Sequence, residues 1–250
     1  MNEIVTIIND IKIIEYAKAN IYVIENILDN SFCDNIVEVI NTIRMEKTVY
    51  CNGNNVECYK NELENLIQNN DVFYYTFPTD LIEYEKRIEE LNSKKEIKIS
   101  NNKHNGITKK QLEHYSAQIN RKMIRVDELM QKINPSISLK YNSGYILRKI
   151  YGTTRLHADG LCKIQDSNIT FIKENKKGDY YMARNASIIF TLNDDYEGGE
   201  FCFPYYDISI KLKKGSIIIF PPYWTHRHKT NALKNDTIRY TITTWSCEQI

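Results

Sequence analysis

From Pro135 to its end the chain is a succession of short β-branched and aromatic runs: Ile137 to Leu139, Gly144 to Ile150, Ala186 to Leu192, Glu200 to Pro204, Asp207 to Leu212, Ser216 to Phe220 and Thr237 to Trp245. Turns rich in Gly, Asn, Asp and Lys separate them, and no βαβ alternation is visible. Parallel strands need long crossovers, usually helical, so this half has to close as a sandwich or barrel.

The residues before Pro135 read differently. Leu112, Tyr115, Ile119, Met123, Val126, Met130 and Ile133 recur at three- and four-residue steps, which predicts a helix with one apolar face, ended by Asn134-Pro135. That face needs a surface to cover, and the β-rich half supplies one. Upstream, Ile21 to Leu28 predicts a strand. Asp29-Asn-Ser-Phe then supplies capping groups for a helix carrying Ile36, Val37, Val39, Ile40 and Ile43. Positions 50–106 are rich in Asn and Lys and predict variable loops, with one helical stretch near Leu81 to Leu91. The expected organisation is α+β: residues 1–135 mainly helical with one or two strands, packed on a core formed by residues 136–250.

With 250 residues, 42% of them hydrophobic, the chain can bury one sizeable core. Thirty-three Lys and Arg against 32 Asp and Glu leave no global field to attract nucleic acid or an anionic membrane. Cys33, Cys51, Cys58, Cys162, Cys202 and Cys247 are scattered without the two-residue gap of a zinc knuckle or redox dithiol. The N-terminal MNEIVTIINDIKIIEYAK has polar interruptions and no small-residue cleavage site. No apolar run is long enough to span a bilayer. A soluble cytoplasmic protein with reduced thiols is the expectation.

Three of the five histidines fall in two motifs on the β-rich half. His157-Ala-Asp159 sets an imidazole and a carboxylate two residues apart, so on an extended chain both leave one face and can meet one ion. Far downstream, Trp224-Thr-His226-Arg-His228 offers further imidazoles. Two histidines and a carboxylate on one face of a metal leave the opposite positions open to a co-substrate and O₂, the arrangement of non-haem iron(II) oxygenases. The intervening order is the turn Tyr196-Glu-Gly-Gly-Glu200, the run Lys213-Lys-Gly-Ser-Ile-Ile-Ile-Phe-Pro221, then the histidines, then Arg239-Tyr-Thr241. Gly198 and Gly199 fit a tight turn requiring positive φ.

In this ordered set the chain resembles the 2-oxoglutarate- and iron(II)-dependent dioxygenases, in particular their prolyl 4-hydroxylase-like branch. The resemblance is close over about the last hundred residues and fainter over Ile21 to Ile43. It implies a double-stranded β-helix, a jelly-roll barrel, flanked by the N-terminal helices. It also implies Fe(II) as the metal, 2-oxoglutarate and O₂ as co-substrates, and ascorbate as a reductant. The implied reaction is hydroxylation of a C–H bond, of a prolyl or other residue in a peptide or protein, with succinate and CO₂ as co-products. No nucleic-acid or membrane partner is expected.

Carried over by motif, His157 and Asp159 match the proximal metal ligands, and Arg239 matches the residue that pairs with the distal carboxylate of 2-oxoglutarate. A planar guanidinium suits that task independently, since it binds a carboxylate bidentately and keeps its charge. Thr241, on the same strand face, matches the assisting hydroxyl. Tyr151 matches a tyrosine that hydrogen-bonds the co-substrate, at an interval to His157 shorter than the family's common one. For the distal ligand, counting forward from Phe220-Pro221 selects His226, whereas counting back from Arg239 selects His228. Placing the extra residues in an expanded turn, Asn231 to Asp236, favours His226, with His228 as the alternative. Three other readings stand beside the peptidyl hydroxylase: an oxygenase of small metabolites, a metal-independent scaffold in which His157 and His226 are simply hydrogen-bonded, and a barrel that binds metal or ligand without turnover. The last has no need of Arg239 in addition to the His, Asp, His set.

Overall fold

The computed structural model describes residues 3–42, 46–48, 56–59, 109–142, 144–160 and 182–249. Strands β1 (Glu3–Ile8), β2 (Ile11–Tyr16) and β3 (Ile21–Ile24) form a meander that leads into helix α1 (Asn30–Thr42). Strands β4 (Glu46–Thr48) and β5 (Val56–Tyr59) follow, then the long helix α2 (Lys109–Ile133). The remaining strands are β6 (Tyr141–Asn142), β7 (Ile146–Ile150), β8 (Met182–Thr191), β9 (Glu197–Gly198), β10 (Phe201–Phe203), β11 (Ile208–Ile210), β12 (Ile217–Phe220), β13 (Lys229–Thr230), β14 (Leu233–Lys234) and β15 (Arg239–Gln249).

Nine of these strands form one sheet in the order β1-β2-β3-β12-β8-β15-β7-β5-β4, with β6 also pairing β15. A three-stranded sheet, β11-β10-β13, and the pair β14-β9 complete the strand inventory of the described residues. The pairings among the described strands are antiparallel.

Strand alternation sorts the large sheet into two faces. Ile188 and Phe190 of β8, Ile217 and Ile219 of β12, Leu147 of β7 and Ile242 of β15 pack against α1 and α2, whose contributions include Phe32, Ile36, Ile40, Ile119, Met123, Val126 and Met130. The opposite face sends Ile189, Ile218, Phe220, Ile21 and Val23 against Phe201, Phe203, Ile208 and Ile210 of the small sheet. The molecule is therefore layered as helices, large sheet and small sheet, and the space between the two sheets holds the site.

The expected helix after Thr108 is α2, and Ile119, Met123, Val126 and Met130 of its apolar stripe are buried, with Tyr115 and Ile133 at the margin. Among the described residues, five strands from before residue 60, more than the one or two expected, join the main sheet, which draws on residues from both sides of Pro135. The strand signal is present in the sequence: Glu3–Ile8 and Ile11–Tyr16 are β-branched runs joined by Asn9-Asp10, both at positive φ (50° and 62°), as a two-residue hairpin requires. Ile137 to Leu139 is not a strand. Its backbone is tied to α2, with the Leu139 amide donating to Asp127 Oδ1 at 2.7 Å. The helix expected near Leu81 to Leu91 lies outside the described residues.

Candidate metal centre

Beyond β7 the chain enters an extended segment in which His157 forms an isolated antiparallel bridge with His228. The His157 amide donates to the His228 carbonyl at 3.0 Å and the His228 amide to the His157 carbonyl at 2.8 Å. Two residues that exchange both backbone hydrogen bonds present their side chains on one face, and the two imidazole centroids lie 4.4 Å apart. Asp159, two residues on, returns to that face: its Oδ1 is 3.2 Å from His157 Nε2, and its Oδ2 is 3.8 Å from His228 Nε2. One ligand atom from each of His157, Asp159 and His228 falls within 4.8 Å of the others.

Hydrogen bonds at the other ring nitrogens orient both imidazoles. His157 Nδ1 donates to the Arg155 carbonyl at 2.7 Å, and His228 Nδ1 donates to the His226 carbonyl at 3.0 Å. With Nδ1 of each ring committed to a backbone carbonyl, both rings turn Nε2 toward the carboxylate of Asp159, the atom through which each could ligate a cation. The donor set of two imidazoles and one carboxylate suits a divalent first-row metal such as iron(II).

The surroundings hold these charge states. Burial pushes the Asp159 carboxyl up, but hydrogen bonds from His157 and Ser187 and the adjacent imidazoles outweigh it and hold the group well below the usual carboxylate range. Ser187 Oγ donates to Asp159 Oδ2 at 2.6 Å, and Arg184 Nη1 donates to the Asp159 carbonyl at 2.6 Å. Arg184 itself lies over the Trp245 ring at 3.9 Å. His228 is enclosed by Phe201, Phe203 and Phe220. Burial brings its pKa down to about 4, against the opposing pull of Asp159, so the ring is neutral at pH 7.

His226, the expected distal ligand, points elsewhere. It ends a 3₁₀ turn, Trp224–His226, with Nε2 donating to the Ala19 carbonyl at 2.5 Å and Nδ1 accepting from Thr225 Oγ1 at 2.9 Å. The correction has a local cause. Pro221 and Pro222 end β12, and the 3₁₀ turn consumes the following residues before the chain rejoins the small sheet at β13. The extra length lies before the histidine as well as after it, and His228 takes the position facing His157.

Arg239 is 3% exposed on the inner face of β15, with Nη1 donating to the Gly199 carbonyl at 2.7 Å and its guanidinium 5.0 Å from the Phe201 ring centre. The same ring packs against His228, at 6.3 Å between centroids, so one phenylalanine separates the guanidinium from the candidate ligand. Thr241, two residues on, shares the inner face and is buried. Tyr151, expected at the co-substrate, is 38% exposed and lies beside Lys149, whose Nζ is 5.5 Å from its ring. It stands one residue beyond Ile150, which pairs with Arg239, so strand alternation turns Tyr151 outward. Gly198 and Gly199 have φ of 69° and 70°, as the tight turn requires.

Several groups around the site escaped the sequence reading. Ser187 and Thr191 share the inward face of β8, and each sits opposite an inward residue of β15: Ser187 opposite Trp245, Thr191 opposite Thr241. The signal available was polar residues at alternate positions of an otherwise apolar run. Buried Thr191 Oγ1 and Thr243 Oγ1 have no hydrogen-bond partner among the described residues, which fits an interior built around a polar ligand.

Residues 150–247 match the family model of the 2OG-Fe(II) oxygenase superfamily. No curated protein matches the chain. Among solved structures, the chain is similar to the viral collagen prolyl hydroxylase of Paramecium Bursaria Chlorella virus-1 in complex with 2OG. Identity there is 14%, with 91% of this chain and 95% of that chain covered and a TM-score of 0.47. It is also similar to a prolyl-4-hydroxylase of Pseudomonas putida (11% identity, 92% and 93% covered, TM-score 0.46). A third similarity is to an oxidoreductase of the 2OG-Fe(II) oxygenase family from Burkholderia pseudomallei (11% identity, 88% and 80% covered, TM-score 0.49).

Proposed function

We propose that this chain, whose residues 150–247 match the family model of the 2OG-Fe(II) oxygenase superfamily, is an iron(II)- and 2-oxoglutarate-dependent oxidoreductase that hydroxylates a C–H bond of a prolyl or similar residue in a peptide. In this reading His157, Asp159 and His228 hold the metal, Arg239 and Thr241 receive the far carboxylate of 2-oxoglutarate, and the two facing sheets are a double-stranded β-helix. The observation that carries it is the convergence of the three candidate ligand atoms, with both Nε2 atoms facing the Asp159 carboxylate. Bound there, iron(II) supplies O₂ activation coupled to conversion of 2-oxoglutarate into succinate and CO₂.

The protein's own residues do three things. The Nδ1 hydrogen bonds of His157 and His228 fix the tautomer that ligates, and Ser187 leaves Asp159 Oδ1 as the oxygen facing His157. Phe201, Phe203 and Phe220 exclude water from the His228 side. Arg239 offers a buried, permanent positive charge at the far end. An extended substrate is supported by exposed apolar side chains close in sequence to the ligands: Leu156, Tyr223 and Trp224.

The test supplies purified protein with iron(II), ascorbate and 2-oxoglutarate and measures succinate. Release is expected, and proline-containing peptides should gain one oxygen by mass spectrometry. His157→Ala or Asp159→Ala should abolish both; undiminished succinate formation in either variant would refute the assignment. Succinate without oxygen in any peptide would retain the oxygenase and remove the peptidyl substrate.

A further inference from the structure

The inner face of the main sheet carries a guanidinium besides those of Arg239 and of Arg184, the latter held by the Asp159 carbonyl and the Trp245 ring. On β7, Leu147 pairs with Ile242 and belongs to the helix-facing core, so its neighbour Arg148 turns to the opposite, inner face. There it stands directly across from Thr241, which on its other side faces Thr191. Thr191, Thr241 and Arg148 thus form one row across three strands. Arg239 and Ile150 form the next row, two residues further from Ser187, whose hydroxyl holds Asp159. Two residues along a strand are roughly 7 Å, which sets Arg148 nearer the metal-binding end than Arg239.

Arg148 Nε is buried and has no hydrogen-bond partner among the described residues. The hydroxyl of Thr191, in the same row, is equally unsatisfied. Arg148 is part-exposed as a residue, but its Nε is shut off from water without an acceptor, so the guanidinium beside the site is available to an anion that arrives with a ligand. The one carboxylate described at the centre, that of Asp159, is already engaged with His157 and Ser187.

We propose that Arg148 binds the carboxylate at the 2-oxo-acid end of the co-substrate, so that a dicarboxylate is held by two guanidinium groups, Arg148 near the metal and Arg239 at the far end. This rests on the oxygenase reading above. The sequence gives no hint of it, since an arginine between Leu147 and Lys149 reads as a solvated side chain until the strand pairing is known.

Calorimetric titration of Mn(II)-loaded protein without O₂ tests it with two probes: 2-oxoglutarate, and 2-oxobutyrate, which lacks the far carboxylate. Arg148→Met should weaken both probes, by roughly tenfold or more for each, while Mn(II) binding measured alone is retained. Arg148→Lys should recover part of the loss, which a purely structural role would not produce. Arg239→Met should weaken 2-oxoglutarate and spare 2-oxobutyrate. If Arg148→Met leaves both probes within twofold of wild type, or weakens only 2-oxoglutarate, the proposal is overturned. Retained Mn(II) affinity shows that the variant is folded; should Arg148→Met lose it, Arg148→Gln and Arg148→Lys carry the comparison, and affinity unchanged in both overturns the proposal. Failure of wild-type protein to bind Mn(II) or 2-oxoglutarate at all overturns the oxygenase reading, and the Arg148 assignment with it.

Discussion

His226 and His228 are separated by one arginine yet do opposite things with their ring nitrogens. His228 spends Nδ1 on a backbone carbonyl and keeps Nε2 open toward Asp159, whereas His226 spends Nε2 on Ala19 and Nδ1 on Thr225. His228→Ala should therefore abolish Mn(II) or iron(II) binding measured by calorimetry, while His226→Ala should leave metal affinity within a few-fold of wild type and lower thermal stability, because it removes the bridge to the β2–β3 connection. The reverse pattern would restore His226 as ligand. The pH dependence of the metal-free protein follows from the same burial. The His228 pKa falls from 6.5 to about 4 on folding, so between those values the unfolded chain binds more protons than the folded one. Stability is accordingly lost as pH drops through that window, by roughly 3 kcal/mol in total for this group. His226 acts in the same direction, its pKa being lowered chiefly by burial. Asp159 does not titrate there; its depressed pKa contributes stability that is lost only as pH falls below the ordinary carboxylate range. Chelator-treated protein should show a melting temperature that declines from pH 6.5 to pH 4.5, and His228→Asn should flatten that decline.

At the scale of elements, the turn between β9 and β10 does more than reverse the chain. Gly198 pairs with Leu233 of β14 at φ 69°, and a Cβ built there would lie 2.1 Å from the Ala232 carbonyl oxygen. Its neighbour Gly199 presents the carbonyl that receives Arg239 Nη1. Gly198→Ala must shift backbone against backbone, which should cost more than about 1 kcal/mol of stability and displace the Arg239 anchor. Denaturant unfolding should show the first, and a several-fold rise in the 2-oxoglutarate dissociation constant with metal affinity preserved should show the second. What was legible beforehand follows from how far each signal reaches along the chain. The stripe of α2, the β-rich second half and the spacing of His157 and Asp159 rest on local periodicity, which survives folding, whereas Arg239 was singled out by the resemblance of its motif. The choice between His226 and His228 depended on which of two turns absorbs extra residues, and a 3₁₀ turn after two prolines leaves no periodicity to count. Tyr151 and Arg148 were misplaced or missed because their facing depends on the β7–β15 register, a pairing between residues far apart in sequence.

Taken whole, the molecule places its site between two sheets but builds the larger sheet from both halves of the chain. Strand β3 lies beside β12, with Ile217, Ile218 and Ile219 opposite Ile24, Val23 and Tyr22, and β5 lies beside β7. The helix-facing side of the sheet, including Ile188, Phe190, Ile217, Ile219 and Ile242, is covered by α1 and α2. Without residues 1–135 those side chains would meet water, and each fully buried isoleucine or phenylalanine contributes roughly 1.5–3 kcal/mol, so the five together are comparable to the roughly 5–15 kcal/mol net stability of a domain. The family-matching stretch, residues 150–247, contains all three candidate ligands, His157, Asp159 and His228, and is expected to depend for its stability on the residues before it. A fragment of residues 136–250 should show no cooperative thermal transition by circular dichroism and should bind a hydrophobic dye, whereas the full chain melts in one transition. If the fragment instead unfolds sigmoidally and binds Mn(II), the β-rich half is self-sufficient and the helices merely cover it. The N-terminal half would then act on the site only through contacts such as that between Ala19 and His226, a role that His226→Ala in the full chain tests independently.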